Sequence, residues 1–141
     1  MQPIKAFFSD DQITSIVVNR YDLIFVRKNG EWVQTNAKFE SEAQLENCIT
    51  QIVNALGQSI DPKLAPIADA RMSDGSRVNA VLFPTAHLGS NMSIRKFPKI
   101  RYSLEDLLSK GSMSPEMLQF FKLCVMARCN TLVSGATGSG K

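Results

Sequence analysis

The chain has 141 residues, 44% of them hydrophobic and 21% charged, with a formal net charge of +3. A globular chain of this size buries about two-thirds of its unfolded surface and needs no disulfide or metal staple. The charge is too small to make nucleic acid or an anionic membrane a dominant partner. No apolar run approaches the roughly 18 residues of a membrane span, and Met1 to Asp10 lacks the basic flank and apolar core of a signal peptide.

Ile13 to Val18 reads as a strand, and Asn19, Arg20, Tyr21 and Asp22 as a turn. Leu23 to Arg27 is apolar and rich in β-formers. Asn29-Gly30 follows, a hairpin signal because both residues tolerate positive φ, and Glu31 to Thr35 completes the hairpin. Ser41 to Leu56 has the spacing of a helix: Leu45, Cys48, Ile49, Ile52, Val53 and Leu56 form one apolar stripe. Ser41 suits its N-cap with Gln44 as box partner, and Gly57 suits its end.

Asp61 to Pro66 contains two prolines and reads as a loop. Ile67 to Met72 and Arg77 to Phe83 read as strands joined at Asp74-Gly75, with another strand at Asn91 to Phe97. His87, the only histidine, falls in the loop Pro84 to Ser90 and reads as solvated. Pro98 to Arg101 looks like a linker. Ser103, with Asp106 and Gly111, marks a short helix, and Ser114-Pro115 starts another. The apolar face of this last helix is Met117, Phe120, Phe121, Cys124 and Val125, with Asn130 as its stop. Thr131, Leu132 and Val133 then read as a short strand. The three cysteines, Cys48, Cys124 and Cys129, lack metal-type spacing and suit reduced thiols in a cytosol. Cys48 and Cys124 fall on apolar helix faces and read as small buried hydrophobes.

The last seven residues, Gly135, Ala136, Thr137, Gly138, Ser139, Gly140 and Lys141, match G-x-x-x-x-G-K. Glycines at this spacing let backbone N–H groups form a nest for phosphate, and the lysine reaches the β- and γ-phosphates as a point charge. The position after an apolar strand is the one such a loop requires. The alternative is a flexible Gly/Ser tail. The sequence stops inside the motif, before the serine or threonine that holds magnesium, so the simplest expectation is a piece of a longer ATPase.

Arg71, Arg77 and Arg95 form a second cluster in sequence. Arg71 and Arg77 flank the Asp74-Gly75 turn. A three-residue loop (Ser73 to Gly75) sets them opposite each other on one face; a two-residue loop sets them on opposite faces. One reading is a set of guanidinium groups that reaches a nucleotide, as arginine fingers do. The other is solvated strand arginines, or pairs with Asp69 and Asp74.

The stretches IVVNRYDLIFVRKNGEW, PIADARMSDGSRVNAVLFP, SIRKF and SLEDLLSKGSMSPEMLQFFKLCVMARCNTLVSGATGSGK resemble the type II/IV secretion ATPases, most closely the CpaF-like ATPases of Flp (Tad) pilus assembly. The resemblance covers most of the chain from Ile16 onward. It implies an α+β fold: an antiparallel sheet with helices packed on it, PAS-like in related members, followed by a strand entering the phosphate loop. It implies residues 1–97 as the N-terminal domain, 98–113 as a linker with a short helix, and 114–141 as the start of a RecA-like ATPase domain. It further implies a cytoplasmic hexamer, peripheral to the inner membrane through secretion or pilus-assembly proteins, that uses ATP and magnesium. Arg71, Arg77 and Arg95 are then the candidates for phosphate contact from the N-terminal domain. No metal ligand is expected among the residues present, and the piece alone is expected to be inactive. A docking or oligomerisation module is the rival reading, and another P-loop enzyme, a kinase or a helicase, a third.

Overall fold

The computed structural model describes residues 2–97 and 102–136. The chain divides into two compact units, Met1–Lys99 and Ile100–Lys141. The first unit contains helix α1 (Gln2–Ser9), strands β1 (Ile13–Arg20), β2 (Leu23–Lys28) and β3 (Glu31–Gln34), helix α2 (Glu42–Ala55), and strands β4 (Ile67–Arg71), β5 (Arg77–Val81) and β6 (Asn91–Arg95). The strands form one sheet in the order β3-β2-β1-β6-β5-β4, and every pairing is antiparallel. This is the expected α+β arrangement.

Alternation along the strands decides the two faces of the sheet. Ile16, Val18, Ile24, Val26, Ala68, Ala70, Val78, Ala80, Met92 and Ile94 are buried. All but Ala70 join Leu45, Cys48, Ile49, Ile52 and Val53 of α2 and Ile4 of α1 in one core cluster. Among the described residues no helix of the first unit lies on the opposite sheet face, which carries Ser15, Arg27, Asn79, Ser93 and Arg95 beside the apolar Val17, Phe25 and Val81. Phe39, in the β3–α2 connection, is 1% exposed and donates its N–H to Tyr21 O at 2.7 Å, closing the core at one end.

Helix α2 is capped by Ser41 as the sequence suggests, its Oγ accepting from Gln44 N, but the reciprocal bond differs from a capping box: Gln44 Oε1 accepts from Glu40 N at 2.8 Å, one residue before the cap. At its end Gly57 takes φ +75, and Gln58 N donates to Val53 O at 3.2 Å. Asn29 and Gly30 both have positive φ, as a two-residue hairpin requires. Helix α1 was not expected. Its eight residues place Ile4 fully in the core with Phe7 and Phe8 against it, and Lys96 Nζ donates to Phe7 O and Asp10 O at its C-terminal end. Strand β1 also runs two residues further than expected, so only Tyr21 and Asp22 form the turn.

The second unit contains α3 (Leu104–Ser109) and α4 (Pro115–Met126). Ser103 and Asp106 form a reciprocal capping box, and Ser114 Oγ accepts from Met117 N with Pro115 at the first helical position. Two expectations change here. Helix α4 ends at Met126, not at Asn130, because Arg128 takes φ +55 and closes the helix. Thr131, Leu132 and Val133 form no strand, because no neighbouring strand among the described residues supplies a ladder for them. Cys48 is buried as expected, whereas Cys124 is half-buried and Cys129 exposed.

Candidate functional site

The β4–β5 hairpin settles the loop length that the sequence left open. Met72 N donates to Ser76 O at 2.8 Å and Gly75 N to Met72 O at 2.9 Å, so Ser73, Asp74 and Gly75 form a three-residue loop. Gly75 has φ +88, the left-handed conformation that such a loop assigns to glycine. The register below the loop pairs Arg71 with Arg77 and Arg77 with Arg95. The three arginines therefore sit side by side on three adjacent strands. At a strand spacing of about 4.8 Å their Cα atoms lie within about 10 Å.

The row continues across the whole sheet. Arg95 pairs with Ser15, Ser15 with Arg27, and Arg27 with Trp32. From one edge to the other it reads Trp32, Arg27, Ser15, Arg95, Arg77, Arg71, all on the face away from the core. Arg27 is held by its own turn, its Nε donating to Gly30 O at 3.1 Å. Arg27 and Trp32 carried no signal in sequence, because only strand order brings β2 and β3 into line with β6.

The acidic residues considered as partners are engaged elsewhere or stand apart. Asp74 accepts from Ser76 N and Ser76 Oγ, each at 2.9 Å. Asp69 pairs across the sheet with Asn79, one row away. Among the described residues the ion pairs are Arg20–Asp22 and Lys28–Asp10, neither of which involves Arg71, Arg77 or Arg95. Three adjacent cations with no carboxylate between them repel one another, and a bound polyanion relieves that repulsion.

The row is braced at its tip. Ser76 is fully buried, and its Oγ both donates to Asp74 Oδ2 and accepts from Phe97 N at 3.0 Å. A groove of about 420 Å³ lies at the other end of the same strands, lined in part by Asn19, Leu23, His87 and Asn91. It does not include the arginine row, and its one arginine, Arg20, is paired with Asp22.

In the glycine-rich segment, Gly135 and Ala136 are exposed and belong to no helix or strand. Thr137, Gly138, Ser139, Gly140 and Lys141 lie outside the described residues. Among the described residues there is no group of three or more His, Cys, Asp or Glu side chains able to hold a metal ion, and no helix is long and apolar enough to cross a membrane.

Comparison with known proteins places this fold. Residues 1–141 match the family described as type II/IV secretion system protein. An uncharacterised protein of Methanocaldococcus jannaschii, MJ0781, is 32% identical over 141 residues, which cover 94% of this chain and 19% of that protein. The type IV secretion system protein VirB11 of Brucella suis is 25% identical, with 100% of this chain and 45% of that protein covered. The crystal structure of the VirB11 ATPase from the Brucella suis type IV secretion system, in complex with sulphate, superposes with a TM-score of 0.69 at 22% identity, covering 90% of this chain and 42% of that one. The chain thus spans less than half the length of these relatives. Its sheet, its helices and the match along all of its residues have one common source: the chain belongs to the type II/IV secretion system protein family.

Proposed function

We propose that this chain is the N-terminal part of a secretion or pilus-assembly ATPase, and that Arg71, Arg77 and Arg95 bind the phosphates of ATP. The observation that carries this reading is the cross-strand row of three arginines, none of them in an ion pair among the described residues, on the sheet face away from the core. A fixed fork of N–H donors suits phosphate oxygens, and adjacent forks suit a polyphosphate. Residues 98–113 then act as a linker with a short helix, and residues 114–141 begin the ATPase domain. In that domain the Gly135 to Gly140 backbone cradles the phosphates and Lys141 reaches the β- and γ-positions. Magnesium arrives with the nucleotide and neutralises developing charge on the phosphates. Phosphoryl transfer depends on positioning and charge stabilisation, so guanidinium groups brought to the phosphates couple domain movement to hydrolysis.

In the cell we assign the full-length protein to a cytoplasmic hexamer, held at the inner membrane by secretion or pilus-assembly partners. Within the family the quoted sequence stretches favour the Flp (Tad) pilus group. A docking role is the second reading, and one observation favours it: Trp32 and Val33 on the first hairpin are 55% and 47% exposed.

One experiment separates the two. In the full-length protein, Arg77→Ala is expected to lower ATP turnover by about 1,000-fold or more, the scale of a lost arginine finger, with the thermal midpoint unchanged. Wild-type turnover in this variant would discard the phosphate role and leave docking as the function of the domain.

A further inference from the structure

We propose that Ser76 is a positioning residue for the arginine row, acting through Arg77; this rests on the phosphate reading above. Three observations point to it. Ser76 is fully buried although it follows an exposed turn. Its hydroxyl is engaged on both sides, donating to Asp74 Oδ2 at 2.9 Å and accepting from Phe97 N at 3.0 Å. The ring of Phe97 lies on the turn itself, since a Cβ built on Gly75 would sit 3.0 Å from Phe97 Cδ2.

Together these contacts tie the tip of the β4–β5 hairpin to the chain two residues beyond Arg95. The hairpin carries Arg71 and Arg77, and β6 carries Arg95. Arg77, on β5, is paired on both sides, but edge strand β4 has only one neighbour among the described residues, so Arg71 needs a restraint against the repulsion of Arg77. The Ser76 bridge supplies that restraint at the point where the ladder ends. It keeps three like charges in one row before any anion is present, so the site is pre-organised rather than assembled on binding. Lys96 fixes the same stretch from the other side, through Lys96 N to Thr14 O at 2.9 Å and Lys96 Nζ to Asp10 O at 2.7 Å.

The test is a double-mutant cycle on ATP turnover in the full-length protein, with Ser76→Ala, Arg77→Ala and the pair. Ser76→Ala is expected to lower kcat/KM about tenfold, as a displacement below 1 Å does, and to add less than twofold once Arg77 is already alanine. Ser76→Thr keeps the hydroxyl and is expected to recover most of the activity. Asp74→Ala, on the exposed turn, removes the acceptor of the Ser76 hydroxyl and is expected to act in the same direction if Ser76→Ala does not fold. Effects of Ser76 and Arg77 that multiply independently overturn the positioning role, as does normal turnover in Ser76→Ala beside an impaired Arg77→Ala. Normal turnover in Arg77→Ala overturns the phosphate reading itself, and this inference with it.

Discussion

Arg71, Arg77 and Arg95 occupy directly opposed positions on adjacent strands, which costs stability wherever nothing negative lies between them. Two carboxylates of the first unit, Asp10 and Asp22, do have cationic partners. Asp10 accepts from Lys28 Nζ at 3.0 Å, and that hydrogen bond, with a second from Gln12 N, holds its carboxyl below the ordinary aspartate value. Asp22 beside Arg20 and Asp61 beneath the Leu64 and Lys63 N–H groups move in the same direction. A lowered folded-state pKa means that the stabilisation is complete above the unfolded value of about 3.9 and disappears as pH falls through the folded value. The urea midpoint is therefore expected to decline between about pH 5 and pH 2. In Asp10→Asn part of this slope should be absent; an identical slope in variant and wild type would show that the Lys28 contact does not contribute.

At the scale of elements, α2 does most to hold the sheet in shape. Five of its residues are buried, and Ile49 is 0% exposed at the centre of the stripe. Ile49→Ala is expected to cost about 2–5 kcal/mol in urea unfolding, the usual loss for a large buried aliphatic side chain. A loss below about 1 kcal/mol would mean that the helix can collapse onto the sheet without it. The loop after β5 is held to the same helix. Buried Ser90 accepts from Phe83 N at 3.0 Å, donates its hydroxyl to Glu46 Oε1 at 2.9 Å, and donates its N–H to Glu42. Helix α4 behaves differently: Met117, Phe120, Phe121 and Val125 are 51%, 62%, 42% and 74% exposed. The apolar face that its sequence promises is present, but nothing described in its own unit covers it.

At the scale of the whole molecule, burial is confined to one unit. Among the described residues every buried hydrophobic residue lies between Ile4 and Ile94. Residues 1–99 made alone are expected to unfold in one cooperative transition, because the core they carry is complete. Residues 100–141 made alone are expected to show no such transition by calorimetry. A cooperative transition in the second piece, or none in the first, would contradict the division of the core described here.

Much of this was legible from residue order. The α2 stripe, its Ser41 cap and Gly57 stop, the Asn29-Gly30 hairpin and the Ser103 and Ser114 caps are local devices, set by contacts within a few residues, so the chain states them directly. Helix α1 was not legible, because eight residues give too short a window for periodicity and its helix depends on Ile4 reaching a core built later in the chain. Thr131 to Val133 looked like a strand because β-propensity describes fit to a neighbour, and no such neighbour is described. The arginines were visible as residues, and the face they share was not. Whether Arg71 meets Arg77 depends on one residue of loop length, and whether Arg95 joins them depends on β6 inserting between β1 and β5. Residue order alone determined helix α2, the starts of α3 and α4, the Asn29-Gly30 turn and the inward face of the strands, because those follow from short-range sterics and from apolar spacing. The alignment of three guanidinium groups, with Ser76 and Phe97 bracing them, was decided only when distant strands paired, because register is a property of the sheet and not of any strand within it.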